Sequence, residues 1–403
     1  MKAKSLSQVQ QFDFLTALPQ AAIETILCLL PIEEAARTSI LSREWRYKWT
    51  TIPKLNFCLG NVKRPIEMEE PRWWNHVSGL EYARRKKNLR CKLFCAIHQV
   101  LLLRQGPIHE FRLAMDADDT CFEIDQIILY LSRNHTLKKL TFFFHDFRTS
   151  AYGLPLSFFS LDHLTDLDLE HCAFNHKPIF NGFISLATLS LTNVKFSKET
   201  LLHLLSNCPS LKILRLMLFH TDFLSDEKPS TMELFKCLPV IEHLKTWSYI
   251  IPSLIQASVP EEPPTLLIHL KYVCIKAMCF VDGYGLPFLA VLTKCCPNLE
   301  KIKLKINSDW DGEIDDVVVE ECAVKLKEYS DVRLEHLNEL EIKYFTNLEP
   351  ELEFVKFILA RSPALKKVML LTDMHDENEE SEVLETLLSA PRAPLAEIVV
   401  KHY

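Results

Sequence analysis

The sequence predicts an α/β fold in which a small N-terminal group of three helices precedes a solenoid made of a curved parallel sheet and helices. Three observations lead to this prediction. The chain has 403 residues, 48% of them hydrophobic and 25% charged, which is a globular composition in a chain too long for one ordinary core. Apolar residues near the N-terminus have helical spacing and are interrupted by proline. From residue 108 onward, one apolar pattern recurs many times, as it does in stacked repeats.

The N-terminal group is predicted from proline and capping signals. Residues 23–30 carry apolar side chains at helical spacing, and Pro31 ends that helix because proline cannot continue it. Proline is tolerated in the first turn of a helix, so Pro31 also begins the second one. Ser42 is predicted to be the N-cap of a third helix. Trp45 and Trp49 lie four residues apart in that helix and therefore share one face.

The repeated pattern is L-x-x-L-x-L followed three residues later by an apolar residue, Cys or Asn, which indicates a leucine-rich repeat. The clearest copy runs from Leu164 to Leu169 and has Cys172 as its anchor. Successive copies start 22 to 38 residues apart, and the longest step contains an acidic stretch, 309–321, interpreted as a surface insertion. The copies are predicted to start at Ile108, Leu137, Leu164, Leu186, Leu211, Ile241, Leu270, Leu299, Leu337 and Leu365.

Each L-x-L segment is predicted to be a short parallel strand whose two leucines point into a shared core. One repeat cannot cover its own apolar side, so neighbouring repeats must stack. The residue between the leucines then faces solvent and lines a binding surface. Alternatively, these residues only keep an exposed sheet in solution. The positions concerned include Asp168, Ser190, Arg215, Lys303 and Glu341.

Composition and charge argue against several partners. Phosphate-binding loops need glycine, yet the chain has only 8 glycines, and neither GxxxxGK[ST] nor GxGxxG occurs. The formal net charge is -7, so we expect no nucleic-acid partner. The basic cluster at 84–87 leaves open a nuclear-import signal or a nucleic-acid contact. We expect no membrane partner either, because the apolar runs are too short to span a bilayer.

The sequence carries no motif typical of an enzyme, so we predict no catalytic residue and no cofactor. No GxSxG occurs, and the histidines lie scattered. Cys91, Cys95 and His98 share one helical face, but a structural zinc site normally takes four ligands. Core packing is therefore the preferred interpretation, and no metal is predicted. Thirteen cysteines and the absence of an apolar signal stretch after Met1 predict a reducing compartment, the cytoplasm or the nucleus or both.

Several segments resemble one plant protein family. The segment 37–49, with the sequence RTSILSREWRYKW, is similar to a plant F-box when taken with Leu18-Pro19 and Leu30-Pro31. Residues 106–113 and 238–244 resemble the repeats of the plant F-box/FBD/LRR-repeat family, and residues 336–368 resemble its FBD region. Together these matches touch most of residues 14–370.

The resemblance implies a domain organisation and a function. It implies an F-box at 10–58, a linker at 59–79, a leucine-rich-repeat solenoid at 80–334 and FBD-like C-terminal repeats at 335–403. The family implies an adaptor of an SCF-type cullin ubiquitin ligase. In such a ligase the F-box docks on a Skp-family adaptor, the repeats hold a target protein, here of unknown identity, and partner subunits transfer ubiquitin.

The resemblance also implies which side chains contact the Skp-family adaptor, although some of them must instead fill the core of the helical unit. They are Leu18, Pro19, Ile23, Ile26, Leu30, Pro31, Leu41 and Trp45. The chain departs from the family pattern in two places. Residues 20–22, Gln-Ala-Ala, replace a more usual acidic and hydrophobic opening. Asn347 stands where glycine is common, and asparagine also accepts a positive φ.

Two other functions remain open at this point. One is a leucine-rich-repeat scaffold that binds proteins through its repeats while its F-box is non-functional. The other is a small-molecule receptor, for which the sequence offers no defined pocket.

Overall fold

The structure is a computed structural model that describes only part of the chain. The described residues are 18–43, 45–59, 79–144, 151–175, 182–218, 231–247, 267–280, 289, 292–307, 333–372, 377–393 and 396–402. Three predicted features lie wholly or almost wholly outside these residues: the first part of the F-box, 10–17; the linker, 59–79; and the acidic stretch, 309–321.

The N-terminal unit consists of α-helices α1 (Gln20–Cys28) and α2 (Ile32–Arg37), followed by 3₁₀ helices at Thr38–Ile40 and Trp45–Thr51. The predicted third helix is thus present only as a 3₁₀ helix. Its start agrees with the prediction, because Ser42 Oγ accepts a hydrogen bond from the Trp45 N–H at 3.3 Å. Thr50 and Thr51 each donate a side-chain hydrogen bond to the carbonyl three residues earlier, which favours the tighter helix.

The described strands form one large parallel sheet in which each strand lies beside the next main strand along the chain. Its twelve strands are β1 (Lys54–Cys58), β2 (Glu110–Met115), β3 (Lys139–Phe144), β5 (Asp166–Glu170), β7 (Thr188–Thr192), β8 (Ile213–Met217), β9 (His243–Trp247), β10 (Tyr272–Met278), β11 (Lys301–Ile306), β12 (Glu339–Phe345), β13 (Lys367–Thr372) and β14 (Glu397–His402). A separate pair joins β4 (Tyr152–Gly153) to β6 (Cys172–Ala173).

The ten predicted repeat starts are confirmed as core positions. Every one of these side chains is buried, and in every case a strand of the sheet begins two residues later. The prediction missed the two outermost strands, β1 and β14. Strand β1 follows the buried Ile52 and pairs in parallel with β2. The sheet therefore begins directly after the N-terminal helices and before the segment predicted to be a linker.

Helices connect the strands and cover the apolar side of the sheet. They are α3 (Gly79–Leu103), α4 (Phe122–Ser132), a 3₁₀ helix (Leu156–Ser160), α5 (Lys198–Ser206), α6 (Thr231–Lys236), α7 (Glu349–Arg361) and α8 (Glu377–Ser389). Buried apolar residues form one continuous cluster from Ile23 in α1 to Leu387 in α8. The N-terminal unit and the repeats therefore share a single core.

The predicted solvent-facing positions line up across the exposed side of the sheet, with one correction. Asp168, Ser190 and Arg215 are partly buried and stand side by side in the parallel register. Glu341, predicted to face solvent, is only 8% exposed. Lys303 on the neighbouring strand covers it, with Nζ 2.6 Å from the Glu341 carboxylate. Glu341 is thus a nearly buried acid neutralised by its strand neighbour.

The segment between β12 and α7 is shaped by a buried acid. Asn347 has φ 60°, which confirms that asparagine takes up the conformation in which glycine is common. Glu351, in the first turn of α7, is 1% exposed and accepts hydrogen bonds from the Thr346 N–H at 2.9 Å and the Thr346 hydroxyl at 2.7 Å. Burial raises the pKa of Glu351 from 4.5 to about 7, although these donors favour the ionised form.

Replacing Glu351 with Gln is expected to reduce the pH dependence of stability. The folded protein holds the Glu351 proton more tightly than the unfolded chain does, so the free energy of unfolding falls as pH rises from 4.5 to about 7. The size of this fall is roughly 3 kcal/mol. Urea denaturation at both ends of this pH range measures it. Glu349→Gln, at an exposed position in the same helical turn, is the control and should keep the wild-type dependence. An unchanged pH dependence in Glu351→Gln would contradict the assignment.

Replacing Lys303 with Met is expected to destabilise the fold, because the nearly buried Glu341 carboxylate loses its close partner and keeps only Lys343, at 3.9 Å. We expect a loss of about 2 kcal/mol in the free energy of unfolding, measured with urea. Combining Lys303→Met with Glu341→Leu removes both charges and should recover most of the loss. A double variant no more stable than Lys303→Met would show that the pair is not the cause.

Candidate docking surface on the N-terminal helices

The N-terminal unit exposes apolar side chains on the flank of α1 that faces away from the core. Ile23 and Leu27 point inward and are buried. Ile26, Leu29 and Leu30 follow at helical spacing on another side and are exposed, Leu29 by 81%. Because the inward positions already fill the core of the unit, these three side chains are available to a partner.

A second group of exposed apolar side chains lies on the segment after α2. Ile40 is 87% exposed, and the adjacent Leu41 is also exposed. This segment packs against the Trp45–Thr51 helix, as does α1. Trp45 and Trp49 in that helix are buried. The two tryptophans thus anchor the scaffold that holds both groups of exposed apolar side chains.

The eight side chains predicted to contact an adaptor divide into core and surface. Ile23 and Trp45 belong to the core of the unit, and Leu18 packs partly against it. The other five are exposed: Pro19, Ile26, Leu30, Pro31 and Leu41.

Leu29 and Ile40 are more exposed than any of the predicted leucine and isoleucine side chains, but the sequence reasoning missed them. The helical phase could have identified Leu29. With Ile23 and Leu27 facing inward, a residue two positions after Leu27 must face outward.

The departure at Gln20 has a structural role in this unit. Gln20 Oε1 accepts a hydrogen bond from Lys48 Nζ, which links the start of α1 to the Trp45–Thr51 helix. Gln20 Nε2 donates to Glu24 Oε1 at 2.8 Å, one turn further along α1. An amide at position 20 therefore still supplies an acceptor for Lys48, as a carboxylate would.

The exposed side of the sheet is a second candidate surface, and its charge changes sign along the solenoid. On β5 the outward residues are Asp166, Asp168 and Glu170. Further along, Arg215 on β8 and Lys245 on β9 stand directly opposite each other in the parallel register. Like charges side by side are unfavourable within a sheet. Such a surface is better suited to a charged partner than to stabilising the strands themselves.

Other candidate sites from the sequence find less support. Core packing, the interpretation preferred for Cys91, Cys95 and His98, is wrong for the two cysteines, which are exposed on α3, while His98 is partly buried. The three residues do not form a group of converging ligand atoms in the described part of the chain. Among the described residues, the group whose ligand atoms do converge is His135, Asp162 and His163. No helix in the described part of the chain has both the length and the hydropathy required to cross a bilayer.

The basic cluster near the start of α3 is partly paired with acidic residues. Lys86 Nζ lies 3.5 Å from the Asp116 carboxylate, and Arg90 Nη1 lies 3.0 Å from that of Asp118. Lys86 from the cluster at 84–87, together with the nearby Arg90, therefore helps to hold α3 against the segment that follows β2.

Two family models match the chain. One, described as FBD-associated F-box protein At5g56370, LRR repeats, matches residues 127–237, which extend from within α4 to just beyond α6. The other is FBD and matches residues 333–370, which contain β12, α7 and most of β13. The buried Glu351 and the positive φ of Asn347 lie inside the FBD match.

Proteins of Arabidopsis thaliana that are similar to this chain are named for an F-box and for FBD or leucine-rich repeats. F-box/FBD/LRR-repeat protein At1g13570 is 29% identical in an alignment that covers 96% of this chain and 98% of that protein. Putative F-box/LRR-repeat protein At4g15060 is 24% identical over 77% of this chain and 84% of that protein. FBD-associated F-box protein At5g56370 is 29% identical over 50% of this chain and 42% of that protein. The chain is therefore similar to plant F-box/FBD/LRR-repeat proteins over nearly its whole length, and the FBD and LRR-repeat models match parts of it.

Proposed function

We propose that this protein is a substrate-recognition adaptor of an SCF-type cullin ubiquitin ligase. The observation that carries the proposal is the group of exposed apolar side chains on the N-terminal helices: Ile26, Leu29, Leu30, Ile40 and Leu41. The F-box names of the relatives support it. In this proposal the helices dock on a Skp-family adaptor, which links the protein to a cullin, and partner subunits transfer ubiquitin. The protein itself has no catalytic role, and it acts in the cytoplasm, the nucleus or both.

The energetics of docking follow from burial of these side chains. Removing a leucine or isoleucine side chain from water contributes about 1.5 to 3 kcal/mol. A few such anchors are enough for a tight complex, because a small number of central side chains usually supply most of the binding free energy. Trp45 and Ile23 hold the anchors in place from within the core, so little ordering would be required on binding.

The repeats would bind the target protein through the exposed side of the sheet. This side carries acidic residues on β5 and the basic pair Arg215 and Lys245 on β8 and β9. A target with complementary charges would be oriented along the solenoid by this change of sign. The helical unit adjoins β1 directly, so docking at the helices and target binding on the sheet occur on one continuous body.

The double variant Leu29→Ser with Ile40→Ser tests the docking surface. Both side chains are exposed, so the fold should persist while the largest apolar contacts are lost. Affinity for a purified plant Skp-family adaptor with its cullin is expected to fall by about tenfold or more, as measured by biolayer interferometry on the full chain. Leu102→Ser changes an equally exposed leucine on α3 and is the matched control.

Two results would overturn this assignment. Unchanged affinity in the folded double variant would mean that docking, if present, uses other side chains. No capture of the adaptor by the wild-type chain would instead favour a protein-binding scaffold whose F-box is non-functional. Point substitutions are preferable to a truncation before residue 80, because such a truncation would also delete strand β1 of the sheet.

A further inference from the structure

Two neighbouring repeats carry candidate metal ligands at the same structural position. The first apolar residues of these repeats are Leu137 and Leu164, and their strands pair in register, with Leu140 opposite Leu167. His135 and Asp162 each lie two residues before that first apolar residue. Since paired strands are about 4.8 Å apart, stacking of the repeats brings the side chains of His135 and Asp162 close together.

The turn that carries these residues recurs along the solenoid. In it, the N–H of the first apolar residue donates to the carbonyl three residues earlier, as Leu137 donates to Asn134, Leu164 to Leu161 and Leu211 to Cys208. Proline is favoured at the second position of such a turn. Four repeats have proline there: Pro209, Pro239, Pro297 and Pro363. His135 and Asp162 occupy this position instead. Because proline also satisfies the turn, the turn itself does not require a histidine or an aspartate there.

The geometry of the cluster suits a metal ion. His163 follows Asp162, and its Nε2 lies 3.7 Å from the Asp162 carboxylate. The rings of His135 and His163 meet edge to face with their centroids 5.4 Å apart. One ligand atom from each of His135, Asp162 and His163 lies within 4.8 Å of the other two. All three side chains are exposed, so an ion could reach them directly.

We propose that His135, Asp162 and His163 form a surface site for a divalent transition-metal ion of the Zn²⁺ class. Two imidazole nitrogens and one carboxylate oxygen are donors that zinc accepts at about 2.0 to 2.2 Å, so only small side-chain rotations are needed. Nitrogen donors favour Zn²⁺, Ni²⁺ or Cu²⁺ over Mg²⁺ and Ca²⁺, which prefer oxygen. Three protein ligands leave a fourth position for water or for a side chain of a bound protein.

A metal at this site would join two consecutive turns of the solenoid. The ion bridges the turn before β3 and the turn before β5, so it adds a cross-link between repeats that are otherwise held by strand pairing and the core. An ion that binds only the folded chain raises its stability by mass action. The inference does not rest on the proposed ligase role, because the site is separate from the N-terminal helices.

The test is isothermal titration of the full chain, free of any histidine tag, with zinc sulfate. We expect one Zn²⁺ per chain, with binding weakened by about tenfold or more in His135→Ala and in His163→Ala. Zinc should raise the melting temperature of the wild type but not of these two variants. His336→Ala is the matched control, because His336 precedes Leu337 as His163 precedes Leu164 and is also exposed. Cys91→Ser with Cys95→Ser tests whether the exposed thiols of α3 bind the ion instead.

The expected result is loss of binding in His135→Ala and His163→Ala, and wild-type binding in both controls, with all variants folded by circular dichroism. The proposal is overturned if the wild type takes up no zinc. It is equally overturned if the two histidine variants bind as the wild type does, or if only the cysteine variant loses binding.

Discussion

The fold depends on one constraint, which is that the apolar rows of successive repeats must stack in register. A strand such as β5 buries the residues on one of its sides, Leu167 and Leu169, and leaves those on the other side partly exposed. A single repeat would leave its apolar side in water, so its stability comes from its neighbours. The in-register pairing of Leu140, Leu167, Leu189 and Leu214 shows the result: a row of buried leucines that crosses one strand after another.

The same register places equivalent residues next to each other on the surface, whether or not the core requires it. Lys303 covers Glu341 because the two hold the same position on adjacent strands. Arg215 and Lys245 are neighbours for the same reason, although their charges repel. His135 and Asp162 hold equivalent positions in two successive turns, and their side chains lie close together for the same reason. A solenoid can thus build a site from one residue per repeat, far apart in sequence but about one strand spacing apart in space.

This explains what the sequence could and could not predict. The repeat starts were predictable because each is the first apolar residue of a recurring sequence pattern. That residue stands at a fixed distance from the strand that follows. Ile52 carries the same signal before β1, but it lies inside a segment assigned to the helical unit. The burial of Glu341 depended on Lys303, 38 residues away. The convergence of His135 and Asp162 required two turns to be aligned, and no short motif records that alignment.

Strand β1 determines how the N-terminal helices, which are proposed to dock on an adaptor, are connected to the sheet, which is proposed to bind a target. A flexible segment between the docking helices and the sheet would let a bound target sample many positions relative to a ligase. Here α2 contacts β1, and β1 pairs with β2 along its whole length. Ile23 and Trp45 belong to the same continuous core as the repeat leucines. The segment 60–78 follows β1 and so does not separate the helices from the sheet. Because the helical unit and the sheet are packed as one body, a target held on the sheet would keep a fixed orientation relative to whatever binds the exposed side chains of α1.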